Sequence, residues 1–148
     1  MKKIWIIAVM TLLLCGCGGE RPSPAESKIP EKNTVLTLAQ TMESEKDGIR
    51  LRADVYENGL LRIRLLNRSG KVYFYGEGFG LYRRNNEGGW THVPDSRSWT
   101  AIAYELEDGD DDELVCDLSV LPMEPGTYKL VRDGLELSFR LIATVKET

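Results

Sequence analysis

The sequence predicts an all-β domain, an antiparallel β-sandwich, over residues 34–148. Three observations predict it. Apolar and polar residues alternate with period two in most segments after residue 49, turn signals recur every roughly 8 to 12 residues, and no segment keeps a helical period over its length. At about 115 residues the domain is large enough to enclose one hydrophobic core.

The first hairpin has the clearest pattern. One alternating run extends over residues 49–55 and the next over residues 61–65, and Asn58-Gly59 between them is a strong signal for a two-residue turn. The pattern predicts two strands that share one buried face. The inward residues are Ile49, Leu51, Ala53, Val55, Leu61, Ile63 and Leu65.

Shorter strand patterns continue to the end of the chain, and Asp133-Gly134 marks a second tight hairpin. The apolar residues at 35–38 fit either a first strand or a short helix, and the pattern does not decide between them. The remaining predicted strands are Val72–Tyr75, Phe79–Arg84, Trp90–Pro94, Trp99–Leu106, Leu114–Leu118, Thr127–Val131 and Leu135–Leu141.

Composition excludes several classes of function. The formal net charge is −4, which argues against a nucleic-acid partner, and a single histidine leaves little material for a metal site or a metal cofactor. Of three cysteines, two lie near the N-terminus, so Cys116 has no partner for a disulfide inside the predicted domain. We expect Cys116 to be a buried small hydrophobe, with Leu114 and Leu118 on the same face.

The N-terminus has the features of a targeting segment. Lys2 and Lys3 precede eleven residues, 4–14, that are apolar except for Thr11. A helix of that length spans about 16 Å, against the ~30 Å of a bilayer core, so the segment is typical of a signal peptide. The next residues, Leu-Cys-Gly-Cys at 14–17, resemble the lipobox of bacterial lipoproteins.

That resemblance implies cleavage after residue 16 and a diacylglyceryl group on the Cys17 thiol, since a thiolate is the nucleophile that accepts the lipid. Cys15 is the rival acceptor, but it follows the bulky Leu14. The protein would then be held on the extracytoplasmic face of the cell membrane. An ordinary cleaved signal or a short N-terminal anchor is the alternative.

Residues 17–33 are predicted to be a flexible linker. They contain three of the six prolines, and Ile29 is their only large apolar side chain. Such a composition cannot bury enough surface to offset the entropy of ordering, so we expect a tether that holds the domain off the membrane.

Residues 49–142 resemble a bacterial immunoglobulin-like domain of Gram-positive lipoproteins. The motifs that carry the resemblance are Val55-Tyr56, Leu65-Leu66-Asn67-Arg68-Ser69, Gly78-Phe79-Gly80-Leu81-Tyr82-Arg83, Gly89-Trp90, Val93-Pro94, Leu118 and Pro125-Gly126-Thr127-Tyr128-Lys129-Leu130. The resemblance implies an immunoglobulin-like sandwich and brings no catalytic residues. Within it, Pro125-Gly126 followed by Tyr128 predicts a tyrosine corner, with the ring inward and the hydroxyl bonded to a backbone carbonyl.

Three groups of residues could carry chemistry. His92, with Asp95, Ser96 and Ser98 nearby in sequence, lacks any nucleophile motif, so we expect no catalytic residues. The acidic run over residues 105–113 lacks EF-hand spacing, and we expect a solvated loop rather than a calcium site. Four arginines share the predicted outward face of the first hairpin: Arg50, Arg52, Arg62 and Arg64. Their charges require either acids nearby, such as Asp117, or an anionic lipid or wall polymer as a partner.

The sequence therefore predicts a lipid-anchored, non-enzymatic binding or structural module without a cofactor. Its partner would be an extracytoplasmic protein or, alternatively, a glycan or solute at the cell surface. Trp90, Trp99 and Tyr104 are the candidate platform for a glycan or solute. Clustered exposure of these rings would favour a glycan or solute, and their burial would favour a protein partner.

Overall fold

The computed structural model describes residues 34–40 and 42–146, and this part of the chain forms strands and turns with no helix. It therefore contains no helix that could cross a membrane. The predicted signal peptide, residues 1–16, and the predicted linker, residues 17–33 with Cys17, lie outside the described residues.

The strands form two larger antiparallel sheets and one small one. The first sheet has the order β1-β11-β10-β6-β7, the second β2-β3-β4-β9, and the small sheet pairs β5 with β8. The strands are β1 (Thr34–Leu38), β2 (Met42–Lys46), β3 (Ile49–Glu57), β4 (Leu60–Asn67), β5 (Tyr73–Tyr75), β6 (Gly80–Arg84), β7 (Trp90–His92), β8 (Tyr104–Leu106), β9 (Asp111–Asp117), β10 (Gly126–Arg132) and β11 (Leu135–Val145).

One apolar core joins the inner faces of the two larger sheets, which confirms the predicted antiparallel β-sandwich. Leucines supply most of the core, and burial of one such side chain contributes about 1.5–3 kcal/mol. The inward residues predicted for the last strand are all buried, as are Leu114, Cys116 and Leu118 of the β9 region. The fully buried large apolar side chains are Leu51, Leu61, Ile63, Leu65, Leu81, Leu118, Tyr128, Leu130, Leu137, Phe139 and Leu141.

Residues 34–38 and 42–46 form strands rather than a helix, and these two strands belong to different sheets. β1 pairs with β11 in the first sheet, whereas β2 pairs with β3 in the second. The first segment of the domain thus contributes an edge strand to both sheets. The alternation of apolar and polar residues is weak in this segment because each strand lies at the edge of a sheet and has a neighbouring strand on one side only.

The predicted inward position of Val55 is wrong. The register of β3 against β4 shifts between Ala53 and Val55, so Asp54 is the extra residue of a β-bulge. Beyond the bulge the alternation reverses: Val55 is 43% exposed and Tyr56 only 7%. The predicted Asn58-Gly59 turn is confirmed, with φ of 52° and 82°, the left-handed pair that a type I′ hairpin requires.

The predicted strand over 99–106 is also too long. Only Tyr104–Leu106 forms a strand, β8, while residues 93–103 are irregular; Val93 is buried and most of the others are exposed. Asn67, fully buried at the end of β4, holds this region. Its Nδ2 donates to the carbonyl oxygens of Leu106 at 2.8 Å and Lys71 at 2.6 Å, and its Oδ1 accepts from the backbone N–H and the hydroxyl of Ser69.

The tyrosine corner is confirmed. Tyr128 is fully buried, its ring stacks on Phe139 at 5.7 Å, and its hydroxyl donates to the Glu124 carbonyl oxygen at 2.9 Å. The same hydroxyl accepts from the Glu124 backbone N–H at 3.0 Å. The side chain thereby fixes the chain just before β10.

Candidate functional site

A surface pocket lies where the small sheet meets β9. Its volume is about 360 Å³, which is within the usual range for small-molecule sites. We call it the aromatic pocket. Its lining residues are Tyr75, Glu77, Phe79, Arg97, Trp99, Tyr104, Asp112, Glu113, Leu114, Val115, Asp117 and Arg132.

Two ring pairs line the aromatic pocket. Tyr75 and Tyr104 stack across β5 and β8 with centroids 5.5 Å apart, and Phe79 and Trp99 pack at 4.9 Å with a tilt of 49°. Trp99 and Tyr104 are each 39% exposed. The rings therefore present apolar surface to solvent from a partly fixed arrangement.

Arg97 fixes the irregular segment that carries Trp99. Its Nε and Nη2 donate to the Asp95 carboxylate at 2.9 Å and 2.5 Å, and its Nη1 donates to the Asp117 carbonyl oxygen at 2.6 Å. The guanidinium also lies over Trp99 and Phe79, with Cζ 5.0 Å and 5.6 Å from the ring centroids. These hydrogen bonds hold the pKa of Asp95 below its ordinary value.

Glu77, which follows β5, is hydrogen-bonded to β8 and to the segment before β8. Its carboxylate accepts from the Thr100 hydroxyl at 2.6 Å and from the Tyr104 hydroxyl at 2.8 Å. Both hydrogen bonds favour the charged form and lower the pKa of Glu77. A carboxylate accepts about four hydrogen bonds, so Glu77 keeps acceptor capacity for a ligand.

Tyr75 links the small sheet to β9. Its hydroxyl donates to Asp112 Oδ2, and the ring is 5% exposed. Burial, followed by the hydrogen bond to Asp112, raises the pKa of Tyr75 to about 12. The hydroxyl is therefore a permanent donor at neutral pH and Asp112 is its acceptor.

Arg132 places a buried positive charge in the aromatic pocket. The residue is 6% exposed, and its Cζ lies 5.7 Å from the centroid of the Tyr75 ring. Its Nε is 3.7 Å from Asp133 Oδ2, which is too long for a hydrogen bond, and among the described residues it has no hydrogen-bond partner.

The structure does not assemble the possible catalytic group around His92. The imidazole is exposed and packs edge-on against the Tyr82 ring at 5.2 Å, while the Asp95 carboxylate is held by Arg97. Within the described residues no hydrogen bond connects His92 with Ser96 or Ser98. Cys116 is buried, and burial raises the pKa of its thiol to about 11, so it is not a reactive thiolate at neutral pH.

The sequence predicts that the acidic run is a solvated loop, and this prediction is only partly right. Only residues 107–110 turn, while Asp111 and Glu113 belong to β9 and pair with arginines of β4. Asp108 accepts from the Gly70 backbone N–H at 2.9 Å, and Asp112 accepts from Tyr75. In the part of the chain that the structure describes, no three His, Cys, Asp or Glu residues are arranged to hold a metal ion.

The three candidate platform rings are not in one place. Trp99 and Tyr104 border the aromatic pocket, but Trp90 does not. It lies on β7, an edge strand of the first sheet, and its ring centroid is 5.1 Å from Lys129 Nζ. None of the three is buried. The predicted platform is therefore present with two of its three members.

Sequence reasoning did not single out most of the pocket. Tyr75, Glu77 and Phe79 lie in a glycine-interrupted stretch that looked like a strand interruption, and Arg97 and Arg132 resembled ordinary surface arginines. One signal was available: residues 73–104 hold a high density of aromatic side chains around glycines, which is more than one sandwich face needs.

Comparison with known proteins identifies the domain. A sequence model of the family described as "Bacterial Ig-like domain" matches residues 39–145. No curated protein and no solved structure matches the chain.

Proposed function

The chain belongs to the bacterial Ig-like domain family, and from that premise we propose that it is a lipid-anchored, extracytoplasmic, non-catalytic module that binds a glycan unit or another small solute in the aromatic pocket. Ig-like sandwiches serve as scaffolds for recognition, and function on such a fold depends on the site rather than on the fold. The aromatic pocket is the observation that carries this proposal.

The rings around the pocket favour a glycan or solute. Stacked and tilted rings with partly exposed faces offer flat apolar surface, and the carboxylates beside them accept hydrogen bonds from hydroxyl groups. The ring face of a sugar suits the first feature and its hydroxyls suit the second. Because Arg97 and Asn67 hold the surrounding segments, little ordering entropy opposes binding.

A protein partner is the second candidate. The segments beside the pocket expose large apolar side chains, with Phe74 at 57% and Ile102 at 49%. Exposed apolar surface of this kind marks some protein interfaces.

The N-terminal sequence supports the lipid anchor. The lipobox-like residues 14–17 follow a short apolar segment, and a diacylglyceryl group anchors a protein more stably than one acyl chain. The polar, proline-rich residues that follow would then space the domain from the bilayer.

The pocket is tested with the full mature chain in detergent, by calorimetric titration with a panel of neutral sugars and short glycans. Trp99→Ala should lower affinity about five- to tenfold, since a lost aromatic contact is worth about 1 kcal/mol. Trp90→Ala is the matched control, because Trp90 is 37% exposed but lies outside the pocket. Equal effects of the two substitutions would contradict the proposal.

The anchor is tested by labelling cells with radioactive fatty acid. Cys17→Ser should abolish both labelling and processing, because the acceptor thiol is gone, while Cys15→Ser should still be labelled. Normal labelling of Cys17→Ser would contradict the lipid anchor.

A further inference from the structure

Arg132 is the feature of the aromatic pocket that the fold does not explain. Charged side chains are almost never buried unless they are paired, yet the Nε of this residue has no hydrogen-bond partner among the described residues. A buried donor left without a partner loses its hydrogen bonds to water without replacement, and the cost is larger when the group is charged. The nearest acid, Asp133, is 3.7 Å away and 40% exposed, so it neutralises the charge only in part.

One neighbouring group, which does not itself line the pocket, is also unsatisfied. The hydroxyl of Tyr73, which stacks on Tyr75 at 6.1 Å, is also buried without a hydrogen-bond partner in the described structure. By contrast, the Nε and both Nη atoms of Arg97 already donate hydrogen bonds, to the Asp95 carboxylate and the Asp117 carbonyl oxygen. The Nε of Arg132 is itself too buried for a ligand to reach, but the two Nη atoms also make no hydrogen bond with the described residues, so the free hydrogen-bonding capacity for an anion lies with them.

We propose that the ligand of the aromatic pocket is an acidic sugar, a pyranose that carries a carboxylate, and that Arg132 receives this carboxylate. A carboxylate is the natural partner of a guanidinium, which can donate to both of its oxygens. This inference rests on the proposed function, because it names the chemical class of the ligand at the same site.

The acids of the pocket explain why the rest of the ligand carries hydroxyl groups. Glu77 accepts from Thr100 and Tyr104, and Asp112 accepts from Tyr75 and from the Glu113 backbone N–H, so each carboxylate retains about two acceptor sites. Donors on the ligand must meet these sites. A sugar supplies several O–H donors beside its carboxylate, whereas a simple aromatic or aliphatic acid without hydroxyl or amino groups supplies none.

A cationic ligand fits the pocket less well, although the pocket contains more acids than bases. A cation would seek the ring faces, but guanidiniums already lie over three of the four rings: Arg97 over Phe79 and Trp99, and Arg132 over Tyr75. It would therefore meet like charge at the positions where cation–π attraction is strongest.

The experiment is a calorimetric titration of the full mature chain in detergent with three probes: D-glucuronate, neutral D-glucose, and acetate as a carboxylate without a ring. We expect glucuronate to bind at least tenfold more tightly than glucose, and acetate more weakly than either. Arg132→Gln should weaken glucuronate binding at least tenfold more than it weakens glucose binding, so that the preference for glucuronate disappears.

Asp133→Asn provides a second arm that does not disturb the interior. Asp133 has φ of 48°, which Asn tolerates, and its exposed carboxylate competes for the charge of Arg132. Removing that charge should tighten glucuronate binding about two- to fivefold with no change for glucose. This arm remains decisive if Arg132→Gln fails to fold, as judged by circular dichroism.

The outcomes separate the two proposals. Equal binding of glucuronate and glucose, with both weakened about five- to tenfold by Trp99→Ala, would overturn the acidic-sugar inference alone. Unchanged glucuronate affinity in folded Arg132→Gln or in Asp133→Asn would also overturn it. Failure of glucuronate and of the whole panel of neutral sugars and short glycans to bind, or binding that Trp99→Ala does not weaken, would overturn the proposed function together with the inference.

Discussion

Replacing Tyr128 by Phe should destabilise the domain by about 1–2 kcal/mol, because one hydroxyl satisfies two backbone groups of Glu124. It donates to the Glu124 carbonyl oxygen at 2.9 Å and accepts from the Glu124 N–H at 3.0 Å. An ordinary hydrogen bond contributes about 0.5–1.5 kcal/mol, and a partner left unpaired adds to the loss. Water can reach part of this turn, which keeps the expected cost below the sum for two buried bonds.

Tyr128→Ala should cost more, about 3–5 kcal/mol, since the ring is fully buried and stacks on Phe139. A domain of this size has only about 5–15 kcal/mol of stability, so this variant will be close to unfolding. The two substitutions together separate the hydrogen bonds from the packing of the ring.

Urea melts followed by circular dichroism measure both effects. With m near 1–2 kcal/mol/M, the Phe variant should lower the midpoint by about 0.5–2 M at unchanged m. Tyr82→Phe is the matched control: Tyr82 pairs across from Lys129 on the neighbouring strand, and its hydroxyl makes no hydrogen bond with the described residues. If Tyr128→Phe and Tyr82→Phe shift the midpoint equally, the account of the tyrosine corner is refuted.

Two further predictions concern conditions rather than contacts. A soluble chain that begins at Asn33 should give a β-rich circular dichroism spectrum and melt at the same temperature with chelator or reductant; a large drop with chelator would make the acidic run a calcium site. Stability should fall as pH rises from about 9 to 11, because burial raises the pKa of the Cys116 thiol from 9.0 to about 11 and the folded state keeps a proton that the unfolded state releases. The loss should reach about 2–3 kcal/mol for this group, and urea midpoints of Cys116→Ala that fall as steeply over the same pH range would refute the assignment.

The strand pattern was predictable because the inward positions obey one simple periodicity. Leu61, Ile63 and Leu65 face the core as their spacing requires, and the Asn-Gly and Asp-Gly turns adopt the left-handed backbone that their residue types favour. Period two fails where the chain gains or loses one residue. The bulge at Asp54 reverses the alternation, and nothing in the local residue types marks its position.

The pocket was less predictable, for a different reason. The sequence identified Trp99 and Tyr104 as candidate rings for a ligand platform. Both border the same pocket because residues 93–103 do not form a strand. The hydrogen bonds of Arg97 to Asp95 and Asp117 fix the conformation of that irregular segment. The hydrogen bond to Asp117 joins residues that are 20 positions apart, and neither hydrogen bond leaves a periodic signal in the sequence. Arg132 was missed because an arginine at the end of a strand is usually exposed, whereas here the small sheet covers it.

Asp54, the bulge residue, helps to neutralise the arginine face of the first hairpin. Arg52 and Arg64 lie directly opposite each other, which alone would be repulsive, but Asp54 lies 2.6 Å from Arg52 Nε and 3.6 Å from Arg64 Nε. The other acids come from β2 and β9 rather than from Asp117: Arg50 pairs with Glu43 and Glu45, Arg62 with Glu113, and Arg64 with Asp111. Each of these exposed pairs contributes little stability, yet together they neutralise the face. An anionic lipid or wall polymer would have to displace these acids, so the hairpin is a poor anion site. The better one is the buried guanidinium of Arg132, which is only partly neutralised by Asp133 and makes no hydrogen bond with the described residues.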